Sequence, residues 1–385
     1  MSNAPQDSTS HEQESEILDA IEKWLERDVR PHVLRLEHAD EYPFEWVEQM
    51  KEMGLFGATI SADYGGLGLP AGTYARIVEK IAETWMSLSG IFNSHLIMAA
   101  CVERMGTPEQ KQTWLPKFAT GEIRGGLALT EPDAGTDLQG IKIRAKRDGD
   151  HYVINGSKRY ITNAPEADIF TLMARTDLNS KDAKGVSAFI VERNTPGLTV
   201  GPYDRKMGQR GSHTADVIFD NVRVPAANII GGQEGMGFKT AMKVLDKARL
   251  NIAAVCVGAA ERLLDEALNY ARERKQFGKP VAEFQLVQAM LADSKAEVYA
   301  GRSMVLEAAR KKDTGVNITM EASCGKLFCA EMVGRVADRA VQIHGGAGYM
   351  QASAVERLYR DVRLFRLYEG TSQIQQLVIA RHMLK

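Results

Sequence analysis

The sequence predicts an α+β protein of several domains: a helical region, then a central β-domain, then a second helical region. Three observations predict it. Apolar residues recur at helical spacing in residues 15–121 and again in residues 237–384. Between them lie short runs rich in β-branched and aromatic residues, bounded by Asp, Asn, Gly and Pro. Helices and strands do not alternate along the chain, which argues against a Rossmann or TIM fold. The 385 residues allow two or three domains at roughly 100–200 residues each and are enough to bury a sizeable core.

The elements follow in order. In the first region Ile17, Ile21, Trp24 and Leu25 recur at three and four. Residues 64–70 (Tyr-Gly-Gly-Leu-Gly-Leu-Pro) interrupt as a loop, and helical patterns resume over 74–84 and 91–104. Pro108 opens another helix with Thr107 as its N-cap. In the middle region, 123–230, the runs 152–154 and 160–162 flank Asn155-Gly156, which reads as a hairpin turn. Further strands are expected over 169–174, 186–191 and 216–224. In the last region Leu263, Leu264, Ala267, Leu268 and Ala271 form one stripe, and long runs with few breaks predict a helical bundle. Domain boundaries are expected at 1–122, 123–232 and 233–385.

Composition excludes several classes. With 48 basic against 50 acidic residues the net charge is −2, so no global field favours nucleic acid. The four cysteines (Cys101, Cys256, Cys324, Cys329) are too few for a disulfide framework, and Cys324 and Cys329 lack zinc spacing. No metal site is expected. The longest apolar run, 250–260, is far short of the ~20 residues of a membrane span. The polar, acidic first fifteen residues resemble neither a signal nor a transit peptide, so the chain is expected to be soluble and cytoplasmic. There is no Gly-x-Ser-x-Gly elbow, phosphate-binding P-loop, His-Glu-x-x-His or Gly-x-Gly-x-x-Gly.

Five blocks remain. Residues 129–137 (Leu-Thr-Glu-Pro-Asp-Ala-Gly-Thr-Asp) offer hydroxyls and backbone amides that could hold a ring or a phosphate, or form an ordinary capped loop. Residues 158–163 (Lys-Arg-Tyr-Ile-Thr-Asn) follow. Residues 274–279 (Arg-Lys-Gln-Phe-Gly-Lys), with Phe284-Gln285, place an arginine that can reach a diphosphate or merely end a helix in solvent. Residues 342–349 (Gln-Ile-His-Gly-Gly-Ala-Gly-Tyr) are glycine-rich. Residues 367–374 (Leu-Tyr-Glu-Gly-Thr-Ser-Gln-Ile) open a terminal helix.

In order and spacing these blocks resemble the acyl-CoA dehydrogenase family of flavoproteins, over nearly the whole chain from the 64–69 loop onward. The resemblance implies an N-terminal helical domain, a central β-domain and a C-terminal four-helix bundle. It also implies FAD shared across a subunit interface, in a homotetramer or dimer. Thr130 and Thr136 would bond the flavin edge and ribityl-phosphate region, with Leu127, Leu129, Gly135 and Ile161 beside them. Tyr160 would lie against the isoalloxazine and Thr162 near N5. Arg274, Gln276, Phe277 and Gln285 would meet the diphosphate and adenosine from the neighbouring subunit, with Gln342, Gly345 and Gly346 on the adenine side. Thr371 and Gln373 would meet the pyrophosphate at a helix N-terminus. Asp246 and Arg249 would line the mouth through which CoA enters. Tyr368, Gly370 and Thr136 would flank the acyl thioester.

By the same resemblance Glu369 is the α-proton base, and electrons pass to an electron-transferring flavoprotein. A desolvated carboxylate has a raised pKa, which suits it to the α-proton of a thioester. Donors fixed on the carbonyl oxygen would stabilise the charge that develops there. Some members carry the base at the position of Ala248 instead; Ala248 with Glu369 is the short- and medium-chain pattern. Thr136 stands where Ser is usual and Tyr160 where Trp is most common. Asn93 and His95 align with the helix flooring the acyl pocket and point to a short or functionalised acyl group with a polar terminus, unless they satisfy local backbone groups. Oxygen-using oxidases and monooxygenases share the fold. The monooxygenases lack the base, so Glu369 argues against them. Glu369 and the −2 charge argue against a non-catalytic, DNA-associated member.

Overall fold

The computed structural model of the chain describes residues 5–180 and 182–384; the first four of the fifteen polar N-terminal residues lie outside them. The first region folds as six helices: α1 (Pro5–Trp24), α2 (Val33–His38), α3 (Phe44–Glu52), α4 (Ala71–Thr84), α5 (Met86–Met105) and α6 (Pro108–Thr120). The start of α6 is the predicted one. Thr107 Oγ1 accepts from Gln110 N–H, Gln110 Oε1 accepts from Thr107 N–H, and Pro108 occupies the first turn. The 64–70 loop feeds α4, whose first amides, Ala71 and Gly72, donate to the Asp313 carboxylate from the far end of the chain. That carboxylate caps the helix and ties the first region to the last.

The central region is a seven-stranded sheet: β1 (Gly125–Ala128), β2 (Arg144–Asp148), β3 (His151–Thr162), β4 (Ile169–Arg175), β5 (Val186–Glu192), β6 (Leu198–Val200) and β7 (Thr214–Pro225). Its order is β1-β4-β2-β3-β7-β6, with β5 also on β4. The expected hairpin at Asn155-Gly156 does not form. β3 runs straight through these residues, and the chain reverses at Gly149-Asp150, beside the Asp148–His151 pair of β2 and β3. Asn155 pairs with Arg144 of β2, and Gly156 pairs with Phe219 of β7. Turning there would forfeit ladder bonds on both sides of β3, so pairing overrides the local turn preference. The glycine instead permits an irregularity in the ladder at φ +141°, packed where a Cβ would lie 2.8 Å from the Ile143 side chain.

The last region contains α7 (Gly237–Glu273), a two-stranded turn of β8 (Lys275–Gln276) and β9 (Lys279–Pro280), α8 (Gln285–Asp313), α9 (Thr319–His344), α10 (Ala354–Val362) and α11 (Ser372–Met383). Helices α7, α8, α9 and α11 form the bundle. None of the described helices is long and apolar enough to cross a membrane. Residues 247–260 of α7 are buried without interruption, because α8 and α9 cover one side and α4 and α5 the other. A helix enclosed this way is apolar all round, which explains the long apolar run there. The α4 backbone approaches so closely at Gly258 that a Cβ would lie 2.1 Å from Glu79 O. Gly258→Ala is therefore expected to destabilise the protein by about 1–3 kcal/mol through overpacking, read as a lowered thermal midpoint. An unchanged midpoint would contradict this close approach.

Candidate functional site

One cluster of candidate residues grows from the joint between the helices and the sheet. Lys158, on β3, has no solvent exposure. Its ammonium donates to Glu131 Oε1 and to Leu129 O, each at 2.8 Å. The Glu131 carboxylate also accepts from the amides of Lys142 and Ile143, and Arg159 N–H donates to Thr130 O. The first two sequence blocks are thus one unit, with the 129–137 loop fastened onto β3. Burial pushes the Lys158 ammonium down to about 8, with Glu131 pulling the other way. The hydrogen bonds to the remaining polar atoms offset part of the cost of burying the pair, and the lowered ammonium pKa shows that desolvation still outweighs the attraction.

Just beyond Lys158 the β3–β7 register slips before Ile161. The slip turns Tyr160 outward in a left-handed conformation (φ +59°) with 58% of its surface exposed. The Arg159 guanidinium sits 4.8 Å over its ring. A bulge is a recognised means of re-aiming a side chain beside a site, and the strain persists because paired strand on both sides enforces it. Ile161 is buried and Thr162 half-buried. Asn163 Nδ2 donates to Ile91 O and Gly125 O, closing the end of β3 against α5 and β1. Leu127, Leu129 and Thr130 are half-buried, and Gly135 and Thr136 exposed, so this end of the sheet presents a rim of threonine hydroxyls and one outward-facing aromatic ring.

A second cluster forms around the 367–374 turn. Glu369 and Gly370 are successive left-handed residues (φ +55° and +85°). Two side chains hold them. Lys326 Nζ of α9 donates to Gly370 O at 2.7 Å, and Gln375 Nε2 of α11 donates to Gly370 O at 3.0 Å and to Glu369 O at 3.2 Å. Thr371 Oγ1 caps α11 by accepting from Ile374 N–H, and Ser372 Oγ donates to Glu331. Burial pushes the Glu369 carboxyl above the ordinary carboxylate range, against the lowering pull of Lys326 and Arg249. Arg249 on α7 is buried and held by Asp246 at 2.9 Å, and Asp246 in turn accepts from Thr319 Oγ1. Arg249 Nε has no partner among the described residues. Glu369 N–H likewise meets no protein acceptor among them. Tyr368 adjoins, its hydroxyl held well above the usual phenol range by burial. The turn, Arg249 and Asp246 form one cluster, and Ala248 is buried beside it.

The third and fourth blocks lie elsewhere on the chain. Arg274 follows Arg249 by 25 residues along α7, roughly 37 Å of helix. Arg274, Gln276, Phe277 and Gln285 are all exposed, with Phe277 93% exposed and left-handed. Tyr270 stacks on His344 at 4.2 Å, which brings Gln342, Gly345 and Gly346 to the same end of the bundle. A Cβ at either glycine would meet nothing.

One expectation is corrected. His95 does not face a pocket. It is buried between the rings of Phe56 and Phe118, with Nε2 3.0 Å from Phe118 O and Nδ1 accepting from Gly125 N–H. Burial pushes its pKa down to about 4, so it is a neutral core residue with both nitrogens spent. Asn93 Oδ1 accepts from Tyr74 OH, while its buried Nδ2 finds no partner among the described residues. Sequence reasoning gave no role to Lys158, Glu131, Lys326 or Gln375. The signal for Lys326 was present: a lone cation between Ala322 and Cys329–Ala330 on the buried face of α9.

Three family models match the chain: the acyl-CoA dehydrogenase N-terminal domain over residues 11–122, the middle domain over 126–222 and the C-terminal domain over 235–384. The chain is 43% identical over 371 residues to the probable acyl-CoA dehydrogenase YngJ of Bacillus subtilis, covering 96% of this chain and 97% of that one. It is 39% identical over 380 residues to the caffeyl-CoA reductase–Etf complex subunit CarC of Acetobacterium woodii, covering 97% and 99%. The solved structure of butyryl-CoA dehydrogenase from Megasphaera elsdenii superposes with a TM-score of 0.93 at 36% identity, covering 97% and 98%.

The Lys158–Glu131 pair is testable on its own. Lys158→Met leaves a buried carboxylate unpaired and is expected to cost about 3–5 kcal/mol, with residues 129–143 becoming sensitive to protease. Adding Glu131→Gln to it should recover part of that loss. A Lys158→Met protein as stable as the parent would contradict the fastening role.

Proposed function

Since the chain belongs to the acyl-CoA dehydrogenase family, we propose that it catalyses FAD-dependent α,β-dehydrogenation of an acyl-CoA thioester to the trans-2-enoyl-CoA, with Glu369 as the α-proton base. The observation that carries this reading is a half-buried glutamate whose carboxyl desolvation raises above its ordinary range, in a doubly clamped left-handed turn beside Arg249.

The residues present fit FAD. The rim at the end of β3 offers an exposed aromatic ring at Tyr160 and hydroxyls at Thr130, Thr136 and Thr162, with Leu127, Leu129, Gly135 and Ile161 around them. Arg274, Gln276, Phe277, Gln285, Gln342, Gly345 and Gly346 are exposed and gathered at the far end of the bundle. That arrangement supports their meeting the cofactor of a neighbouring subunit, with Thr371 and Gln373 at the α11 N-terminus taking the pyrophosphate. A homotetramer is the assembly this reading takes, with Phe277, 93% exposed, among the groups offered to the neighbouring subunit. When bound, FAD supplies the acceptor for the hydride that leaves the β-carbon.

The chain's own groups supply the rest. Glu369 removes the α-proton, its raised pKa narrowing the gap to that weakly acidic carbon. Its backbone N–H is free to donate to the thioester oxygen where charge develops. Asp246 and Arg249 line the CoA side, and Tyr368, Gly370 and Thr136 flank the thioester. Asn93, with an unspent amide, stands as the acyl-pocket contact in place of His95, and supports a short or polar-ended acyl group. The name of the CarC relative, a subunit of an Etf complex, supports an electron-transferring flavoprotein as acceptor. The three regions serve as domains 1–122, 123–232 and 233–385.

An anaerobic screen of acyl-CoAs for flavin bleaching tests this reading. Glu369→Gln should keep FAD while bleaching falls about 10²–10⁴-fold; bleaching at the parent rate would refute the assignment. The pH dependence has a definite sign. Only the ionised carboxylate accepts the proton, so kcat/KM should fall as pH drops through the raised Glu369 pKa. The acidic limb should therefore lie above the ~4.3 of an ordinary Glu. A limb at or below that value would contradict the desolvated site.

A further inference from the structure

Lys326 is buried completely on α9. A lysine in that position costs stability unless paired, yet among the described residues it makes no ion pair with a carboxylate. Its hydrogen bond goes to a neutral acceptor, Gly370 O, at 2.7 Å. Gln375 Nε2 reaches the same oxygen, so both lone pairs of that carbonyl are used. The residue before it, Glu369, is a non-glycine in left-handed backbone. Such a conformation costs of order 1–3 kcal/mol and persists only where its surroundings over-determine it. Here α9 supplies one hold and α11 the other. Gly370 itself is confined, since a Cβ on it would lie 2.6 Å from Gln375 Nε2.

The charges around the turn are few. From α7 come Arg249 and the Cys256 thiol, which burial keeps protonated. From α9 come Lys326 and Glu331, and Glu331 is engaged by Arg366 and Ser372. Tyr368 is un-ionised. Arg249 is committed to Asp246, so Lys326 is the cation facing Glu369 without a carboxylate partner of its own. Burial pushes its pKa down to about 8, so it is charged at neutral pH.

We propose that Lys326 is a positioning residue for the Glu369 base: its buried ammonium ties Gly370 O to α9, locks the left-handed turn and sets the charge the carboxylate experiences. This rests on Glu369 being the α-proton base. It assigns Lys326 no contact with substrate.

The test uses the FAD-loaded protein, with butyryl-CoA as probe, and compares Lys326→Met, Lys326→Gln and Lys326→Arg by the pH dependence of kcat and KM. Loss of the hold in Lys326→Met should lower kcat about 10- to 100-fold, as for a displaced catalytic group, with KM little changed. Loss of the charge should move the acidic limb of kcat/KM upward by about one pH unit. Lys326→Arg, keeping the charge, should keep the limb at the parent position. Lys326→Gln, keeping a donor without charge, should regain part of kcat with the limb still displaced. It also serves should Lys326→Met not fold. A purely structural role would lower the thermal midpoint and leave the limb in place, overturning the proposal. A limb unmoved in both neutral variants, with Glu369→Gln inactive, removes Lys326 alone; an active Glu369→Gln removes the base assignment beneath it.

Discussion

The Glu369–Gly370 turn is the constraint on which the site depends. Of its two successive left-handed residues the glycine adopts that backbone freely, while the glutamate has to be held against its own preference. Holding it takes a bundle, because the donors come from separate helices: Lys326 from α9 and Gln375 from α11, with Arg249 on α7 completing the electrostatics. A free loop would relax to let the carboxylate find water, and its pKa would return to that of any exposed glutamate. Burial raises the pKa and the neighbouring cations limit the rise, so the site balances two opposed effects rather than maximising either.

The three regions are joined by other buried polar groups. Lys158 and Glu131 bind the 129–137 loop to β3. Glu37 of α2 accepts from Trp85 Nε1, Ser87 Oγ and the amides of Arg210 and Gly211. Asp361 of α10 accepts from Gln209 N–H and from Arg357. The 209–211 segment is thereby pinned between the first helical region and the last. Each of these carboxyl groups receives several donors, as buried polar groups require. The enclosed middle of α7 supplies the apolar counterpart, packing on α4, α5, α8 and α9 at once.

Much of this was legible in the residues. The helix–sheet–helix order, the Thr107–Pro108 start of α6 and the strands at 169, 186 and 216 follow from periodicity and capping chemistry, which act locally. What stayed hidden depends on distant partners. Asn155-Gly156 has every local mark of a turn, yet β2 and β7 draw it into a strand. The β2 strand, Arg-Ala-Lys-Arg-Asp, buries only Ala145 and so carries no apolar signature. His95 looked like a pocket residue because its type is polar; only the folded chain shows Phe118 O and Gly125 N–H consuming it. The slip that turns Tyr160 outward belongs to the β3–β7 pairing and to neither strand alone.

The most direct measurement is proton exchange uncoupled from oxidation. A 3-thia-acyl-CoA has no β-hydrogen to lose, so in D2O the FAD-loaded protein can only exchange its α-hydrogens, and NMR follows that exchange. With Glu369 as the base, the parent protein exchanges them and Glu369→Gln is slowed by about 10²-fold or more while still binding the ligand. Exchange at the parent rate in Glu369→Gln would place the proton acceptor on another residue and contradict the central claim.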